Sequence, residues 1–591
     1  MRIVQRAAAV VLCLAVLASL AGCSTGLPDL SVPAASDETA SAAVSVSGSA
    51  SVSASVSASG SASVQKSTQT LAGGGYFTDA PERSDVAYAD MDPKAPTLEE
   101  FEALTEAVAA FADRGGSSED FAAACKAAQD ALSRMETAST LLGLKNSATP
   151  ADTELAAETT DSENDYYAAG DDYWAAVHRV AVSGHADLLK SVFEDWQIDQ
   201  YKGYDDSGSE DSLELGKQET ELVRQYEALI SADPVDYDAV CELYVRMVGV
   251  RNKIAAQAGY DSYADYAYNY IYSRSYTPED AQTIWTAAQE NFRPLVEQYA
   301  SGISEKTQKL YYSGEIDSSE EKILDAIQTG ADGMSPETAA AARYLRQYGL
   351  CDIAPSDEKL STGYTTYLSW YNEPFIFNCP YGSYVDYTDM FHEFGHYLAY
   401  FYNGSDTLYG VSDYDLSELQ SQGMEVMFFP FYEQVFGGND AKTIRAGTLL
   451  NLIYSVVDGA MYDEFQSRVY SEKNLTSARV QDIFAEVYQK YGYQEYDGFQ
   501  QEWMDQIHNF EQPMYYISYA ASAIPALELF AKQQEDAAGA MDTYLQVASM
   551  SNEDYYLSDA LKQAGLSDVF AAGTGAKIAG ALRDSGALGI S

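Results

Sequence analysis

The chain has 591 residues, of which 46% are hydrophobic, so it is long enough for two or more lobes or one large helical body. Its 89 acidic and 35 basic residues give a formal net charge of −54, and a surface this negative argues against nucleic-acid binding because it repels phosphate backbones. The 47 Tyr and 21 Phe provide ample core material and argue against a disordered chain.

Residues 1–22 have the pattern of a secretion signal. Arg2 and Arg6 precede an apolar run over 7–20 that is too short to span a membrane. The run ends in Leu-Ala-Gly-Cys at 20–23, which resembles the signal of a bacterial lipoprotein, where the chain is cut before Cys23 and the sulfur is lipidated. An ordinary signal peptide with a chance cysteine is the alternative. We predict a lipid anchor on Cys23 that holds the protein at the extracytoplasmic face of a cell membrane.

A flexible stalk is predicted for residues 23–72. Between 41 and 63 the sequence contains only Ser, Ala, Val and Gly, with nothing large enough to pack. From about residue 73 the sequence becomes rich in Tyr and typical of a folded domain.

Most of this folded part has helical periodicity. Thr97 and Glu100 form a capping-box pattern that opens an apolar-periodic run. Further amphipathic runs predict helices near 118–140, 168–196, 212–231, 234–258, 277–300, 336–349, 441–470 and 514–534. The one clear strand lies at 374–379 and is closed by Pro-Tyr-Gly at 380–382. The sequence therefore predicts a mostly α protein with a small sheet.

An HExxH motif follows that strand, at 392–396. The spacing of four puts His392 and His396 one turn apart on one helix face, where two imidazoles can bind one zinc ion. Glu393, beside the first of them, can accept a proton from the attacking water. The chain has only five His, so a chance match is rare; two surface His on a helix are the structural alternative. We predict one Zn²⁺ per chain.

A catalytic zinc site needs a third protein ligand and an open position. The candidate carboxylates downstream are Asp413, Asp415, Glu418, Glu425 and Glu433. Glu418 and Glu425 are seven residues apart, so a helix would present both on one face. Asp413 and Asp415 lie at the entry to that helix, where capping is the expected role.

At this point the sequence resembles the zinc metallopeptidase family that includes thimet oligopeptidase and oligoendopeptidase F. The family's hallmark is HEFGH or a close variant, followed by Glu-x-x-Ser-x-x-x-Glu on a second helix, and 418–425 matches that pattern. The resemblance implies that Glu418 is the third zinc ligand. It also implies that Glu425 does not bind the zinc ion but hydrogen-bonds one of the ligand His.

Three other stretches are similar to this family. Residues 375–378 lie where it has a substrate-pairing edge strand, which implies that Phe377 and Asn378 contact the substrate. Residues 251–255 and 259–264 resemble a helical signature of the oligoendopeptidase F branch. Residues 508–520 resemble that branch's segment of one His followed by tyrosines, with one extra residue between them.

The last of these stretches suggests the donors to the tetrahedral oxyanion. The resemblance implies that His508 and Tyr519 take this role. Tyr515 and Tyr516 are the alternatives for the tyrosine and are otherwise expected to contact the substrate.

The resemblance also implies the overall architecture and activity. We expect a two-lobed, mostly helical body with a deep substrate channel and a small sheet beside the zinc helix. The expected divisions are an N-terminal helical region at 73–220 and a catalytic region at 221–591. The expected function is zinc-dependent hydrolysis of short peptides by a monomer. A non-catalytic peptide-binding lipoprotein is the alternative, but such a protein has no use for Glu393 between two spaced His.

Overall fold

The computed structural model describes residues 71, 75–77, 80–203, 210–232, 234–300, 316–356, 358–405, 412–494, 496 and 498–585. The predicted signal peptide, the lipidation site Cys23 and, apart from Leu71, the predicted stalk lie outside these residues. Within the described part of the chain, none of the helices combines the length and the hydropathy of a membrane span.

The N-terminal part is helical and has a core of its own. Its α-helices are α1 (Leu98–Ala109), α2 (Phe111–Arg114), α3 (Ser118–Ala148), α4 (Thr153–Ala181) and α5 (Asp195–Lys202). The predicted capping box is confirmed, because Thr97 accepts the backbone N–H of Glu100 and the Glu100 carboxylate accepts that of Thr97. Helices α1, α3 and α4 pack around one apolar cluster.

The prediction of a single helix over 168–196 is wrong. Helix α4 begins earlier and ends at Ala181, and a short 3-10 helix at Ala186–Ser191 precedes α5. The break coincides with Ser183 and Gly184, and the Ser183 hydroxyl donates to the carbonyl of Val180 at 2.8 Å. A serine that bonds the backbone next to a glycine favours a turn over a continued helix.

The middle of the chain continues the helical pattern. Its α-helices are α6 (Glu210–Ile230), α7 (Tyr237–Gln257), α8 (Tyr263–Tyr266), α9 (Pro278–Ala287), α10 (Arg293–Ala300), α11 (Glu320–Met334) and α12 (Pro336–Tyr348). A π-helical turn at Ala267–Ile271 follows α8, and another at Ala288–Phe292 joins α9 to α10. The helix predicted at 277–300 is therefore present as α9, the π turn and α10.

A three-stranded sheet precedes the HExxH helix. Its strands are β1 (Cys351–Asp352), β2 (Gly363–Leu368) and β3 (Glu373–Asn378), in the order β1-β3-β2. Strand β3 is parallel to β1 and antiparallel to β2, with Thr365 opposite Ile376. The predicted strand is confirmed as β3, whereas β1 and β2 were not predicted.

The rest of the described chain is again helical. Its α-helices are α13 (Val385–Asn403), α14 (Tyr414–Met427), α15 (Tyr432–Phe436), α16 (Gly438–Ser471), α17 (Ser477–Lys490), α18 (Glu502–Asp505), α19 (His508–Glu511), α20 (Ile517–Glu535), α21 (Ala537–Ala548), α22 (Leu557–Ala564) and α23 (Thr574–Asp584). Helix α13 packs against β2, β3 and α14; α14 packs against α20, and α20 against α16.

One large apolar cluster joins the sheet to the helices from α6 onward. The C-terminal end of α3 reaches it through Leu141 and Leu144. The prediction of a mostly helical fold with a small sheet beside the HExxH helix is confirmed. The deep channel and the division at residue 220 stay predictions.

Candidate active site

The two helices that carry the motif residues lie unusually close together. Gly395, inside the HExxH motif, faces α14, and a Cβ at this position would lie 2.6 Å from the carbonyl oxygen of Gln420 and 2.6 Å from Cα of Ser421. Any larger side chain would push α13 and α14 apart. The glycine therefore allows α14 to present Glu418 directly to the histidines of α13.

His392, His396 and Glu418 converge at this contact. Each offers one ligand atom, and the three atoms lie within 4.8 Å of one another. Nε2 of His392 is 3.4 Å from Oε2 of Glu418. Two imidazoles and one carboxylate are a ligand set found in catalytic zinc sites, where the fourth position is left to water or substrate.

Nδ1 of each of the two histidines has a hydrogen-bond partner. Nδ1 of His392 lies 2.8 Å from Oε1 of Glu425, and Nδ1 of His396 lies 3.2 Å from the Ser417 hydroxyl. Because a carboxylate accepts, Nδ1 of His392 donates to Glu425, and Nε2 is the ring nitrogen that faces Glu418. The donor set thus fits a metal ion, with Glu425 in the position predicted for it.

Charges around the cluster favour a cation. Burial lowers the pKa of His396 to about 4, so this ring is neutral and able to donate a lone pair. Burial also lowers the pKa of His392, but the hydrogen bonds and charges of Glu418 and Glu425 outweigh it and raise that pKa well above its usual value. The two carboxylates therefore stabilise positive charge at the point where the ligand atoms meet.

Glu393 is held beside this cluster by strand β2. Glu393 is only 6% exposed, and burial raises its pKa to about 7 against the lowering effects of His392 and Thr365. The Thr365 hydroxyl donates to Oε2 of Glu393 at 2.6 Å. Thr365 was not predicted, because it belongs to an unpredicted strand and lies 28 residues away from Glu393 in sequence.

The prediction that β3 is an edge strand is wrong. Strand β3 has β1 on one side and β2 on the other, so β2 is the edge strand nearest Glu393. Phe377 is fully buried and its ring stacks on Tyr364, with ring centroids 5.2 Å apart. Asn378, at the end of β3, is also buried. Substrate contacts by these two residues stay a prediction.

The segment of His508 and the tyrosines reaches the same site. The Tyr515 hydroxyl donates to Oε1 of Glu418 at 2.7 Å. The Tyr519 hydroxyl lies 3.4 Å from Nε2 of His508, and the ring of Tyr516 meets that of His508 edge-on at 5.0 Å. The structure therefore brings all four predicted residues together, with Tyr515 in direct contact with a predicted metal ligand.

His508 is neutral in this environment. Burial lowers its pKa to about 4, although Glu418 acts in the opposite direction. Its Nδ1 lies 3.3 Å from the amide oxygen of Gln506. Because that oxygen only accepts, Nδ1 carries the proton and Nε2 accepts from the Tyr519 hydroxyl. The pair therefore fixes the direction of the Tyr519 O–H bond.

Arg251 holds the segment of His508 and the tyrosines through buried hydrogen bonds. The guanidinium is fully buried, and its Nε donates to Oε1 of Glu219 at 2.7 Å. It also donates to the backbone carbonyl of Phe510, two residues after His508. Residues 251–255, which the sequence singled out only by resemblance, thus have a physical role in holding the histidine segment.

Arg274 joins the same segment to the start of α14. It donates to the Ser518 hydroxyl at 2.8 Å and lies 3.6 Å from the carboxylate of Asp415. The prediction of a capping role is therefore wrong for Asp415. It is confirmed for Asp413, whose Oδ1 accepts the backbone N–H of Leu416 at 2.8 Å.

No protein-family model matches the chain, and no curated protein matches its sequence. Solved structures match its fold. A protein assigned as oligoendopeptidase F has a TM-score of 0.71 at 21% identity, over 85% of this chain and 98% of that one. PZ peptidase A, solved with an inhibitor, has a TM-score of 0.68 at 19% identity, over 84% and 99% of the two chains.

A third structure, assigned as oligoendopeptidase F from Bacillus anthracis, has a TM-score of 0.67 at 17% identity, over 85% of this chain and 98% of that one. The chain therefore has the fold of these oligoendopeptidase F and PZ peptidase structures. This confirms, at the level of the fold, the resemblance found in the sequence.

Proposed function

We propose that this protein is a zinc-dependent peptidase of the thimet oligopeptidase and oligoendopeptidase F family, which cleaves short peptides. The observation that carries the proposal is the convergence of His392, His396 and Glu418 within 4.8 Å, beside the buried carboxylate of Glu393. The fold shared with PZ peptidase A, whose structure holds an inhibitor, supports it.

His392, His396 and Glu418 would hold the metal ion. Zinc bound there would supply Lewis acidity toward a water molecule and the scissile carbonyl. Glu425 keeps Nε2 of His392 turned toward the metal position, and the Tyr515 hydroxyl steadies Glu418 through Oε1 while leaving Oε2 for coordination.

Glu393 acts as the general base. A carboxylate with a pKa raised to about 7 is deprotonated often enough at neutral pH to accept a proton, and basic enough to remove one. The Thr365 hydroxyl fixes the position of Oε2. Glu393 then passes the proton to the leaving amine, so the carboxylate returns to its starting state.

Tyr519 is the proposed donor to the developing oxyanion, and His508, whose Nε2 accepts from the Tyr519 hydroxyl, positions that hydroxyl rather than donating itself. Their mutual hydrogen bond at 3.4 Å sets the resting direction of the Tyr519 hydroxyl. The direct contact of Tyr515 with Glu418 makes Tyr515 the alternative donor.

Peptide recognition is assigned to the edge of β2. An extended peptide that pairs with this strand would pass Glu393, because Thr365 in β2 contacts its carboxylate. We further propose that the protein is a monomer, tethered through lipidated Cys23 to the outer face of a bacterial membrane.

The test is digestion of a mixed peptide library by the purified protein, with and without a chelator, read by mass spectrometry. We expect internal fragments that disappear with the chelator. Glu393→Gln is expected to remove cleavage, whereas Glu433→Gln, the same change at an exposed site on α15, is the matched control. Peptide binding without chelator-sensitive cleavage would contradict the proposal and favour a peptide-binding lipoprotein.

A further inference from the structure

A cleft lies beside the free edge of β2 and has no role in the mechanism above. The empty space in it and at its mouth, open solvent included, is about 720 Å³. Helices α3 and α4 form one wall, and β2 and the C-terminal half of α13 form the other. Within the described residues no strand pairs with this edge of β2, so the cleft adjoins the place where an extended peptide would lie.

The cleft is close to the proposed catalytic centre. Tyr400, which lines it, follows His396 by one turn of α13. The pKa of Tyr400 is raised by burial and by the charges of Glu553, Glu418 and Glu393. Tyr367, also in the wall, lies two residues after Thr365 and so on the same face of β2 as the hydroxyl that contacts Glu393. A peptide whose scissile bond lies at Glu393 would therefore place at the cleft a side chain that is close to this bond.

The wall of the cleft is acidic and aromatic. Glu136 from α3 and Glu163 from α4 contribute carboxylates, and five tyrosines contribute rings; among the described residues that line the cleft there is no Lys, Arg or His. Burial raises the pKa of Glu163, so its ionised form is short of stabilising partners. Carboxylates among electron-rich aromatic faces are the chemistry that binds ammonium and guanidinium groups.

A buried polar atom at the wall points to a ligand as well. Tyr367 is only 6% exposed and lines the cleft, yet its hydroxyl has no hydrogen-bond partner among the described residues. A buried phenol oxygen without a partner costs free energy, and a cationic N–H donor would satisfy it.

Two arginines, Arg83 and Arg134, contact residues in or next to the sheet. Arg83 stacks on the ring of Phe401 at 3.8 Å and lies 3.7 Å from the carboxylate of Glu373. Arg134 stacks on the ring of Trp370 at 4.1 Å. Neither is among the residues that line the cleft.

We infer that this cleft is a specificity subsite for the Lys or Arg side chain of a peptide substrate. The inference rests on the proposed peptidase function, which makes the ligand a peptide. The positive charge of the bound side chain is inferred from the lining of the cleft. A net charge of −54 would also attract cationic peptides over long distances.

The test uses the full mature protein and two sets of peptides, identical except that Lys is replaced by norleucine at one position near the scissile bond. Cleavage gives kcat/KM, and fluorescence anisotropy gives binding independently of turnover. The variants are Glu163→Gln and Tyr367→Phe. Glu158→Gln is the matched control, because it makes the same charge change at an exposed position of α4.

We expect the Lys peptides to be preferred on the order of tenfold or more at one position, in binding and in kcat/KM. Glu163→Gln should reduce that preference severalfold and Glu158→Gln should not. If no peptide is cleaved but the binding preference and its loss in Glu163→Gln persist, the peptidase proposal fails and the subsite stands. Cleavage with no Lys preference, with a norleucine preference, or with a preference unchanged in Glu163→Gln and Tyr367→Phe would overturn the subsite alone.

Discussion

Replacing Thr365 with valine removes one hydrogen bond from Glu393 and changes little else. Valine has nearly the same shape, and the site is buried, so the main loss is the donor that lies 2.6 Å from Oε2. A hydrogen bond to a charged group contributes about 1.5–3 kcal/mol. Since one pKa unit corresponds to about 1.4 kcal/mol, the pKa of Glu393 should rise by about one to two units at most.

The sign of the pH effect follows from the role of Glu393. A general base must be deprotonated, so activity is lost as the pH falls through its pKa. Thr365→Val raises that pKa and moves the acidic limb of the kcat/KM profile to higher pH. At pH values on the acidic limb, kcat/KM of Thr365→Val should be about 10–100-fold lower than that of the wild type, the factor that corresponds to one to two pKa units. Well above it, the loss should be smaller.

The assay is the cleavage of a fluorogenic peptide by Thr365→Val and Thr365→Ser between pH 5 and 9. Serine keeps the hydroxyl, so Thr365→Ser should retain the wild-type limb. Equal bound zinc in all three proteins is the control for an intact metal site. A Thr365→Val enzyme with the wild-type limb and the wild-type kcat/KM would refute the assigned role of this hydroxyl.

Three further perturbations test other contacts. Glu425→Ala should weaken zinc affinity about 10–100-fold, measured by competition with a chelator, because His392 loses the partner that orients it; unchanged affinity would contradict this. Tyr519→Phe should keep zinc and lower kcat by about 10²-fold or more, as the loss of an oxyanion donor does; if Tyr515→Phe produces this loss and Tyr519→Phe does not, Tyr515 is the donor. Arg251→Met should lower the free energy of unfolding by about 3–5 kcal/mol in urea titrations, because it leaves the carboxylate of Glu219 unpaired in the interior. A loss below about 1 kcal/mol, as small as that of an exposed ion pair, would contradict the anchoring role of Arg251.

The parts of the site that the sequence predicted are local patterns. The i, i+4 spacing of His392 and His396 determines their common helix face whatever the tertiary structure is. The cap at Asp413 and the capping box at Thr97 also depend only on a few neighbouring residues. Glu418 was selected from several carboxylates by resemblance, and the structure brings it to the histidines.

The parts that the sequence did not predict depend on distant contacts. Strand β2 carries two threonines and little alternation, and its place at the edge of the sheet is set by pairing with β3. Thr365 could not be found before that strand was known. Asp415 lies in the first turn of its helix and has the composition of a cap, but Arg274, more than 140 residues earlier, takes it as a partner.

The tyrosines show the same limit. From the sequence, Tyr519 is the preferred oxyanion donor because Ala520 follows it, and Tyr515 and Tyr516 are the alternatives. Which hydroxyl reaches Glu418, the predicted metal ligand, depends on how the turn between His508 and α20 is packed, and Arg251 and Arg274 both contact this segment. The contact of Tyr515 with Glu418 is a result of that tertiary packing.

The measurement that bears most directly on the metal site is a zinc titration of the metal-free protein, in which bound zinc and peptide cleavage are followed in the same samples. Cleavage should be absent without metal, rise in proportion to bound zinc, and level off at one zinc per chain. Glu418→Ala should show neither stoichiometric zinc nor cleavage, whereas Asp415→Asn should bind zinc like the wild type. Full cleavage by the metal-free protein, or one equivalent of zinc in Glu418→Ala, would contradict the assignment of His392, His396 and Glu418 as the catalytic zinc site.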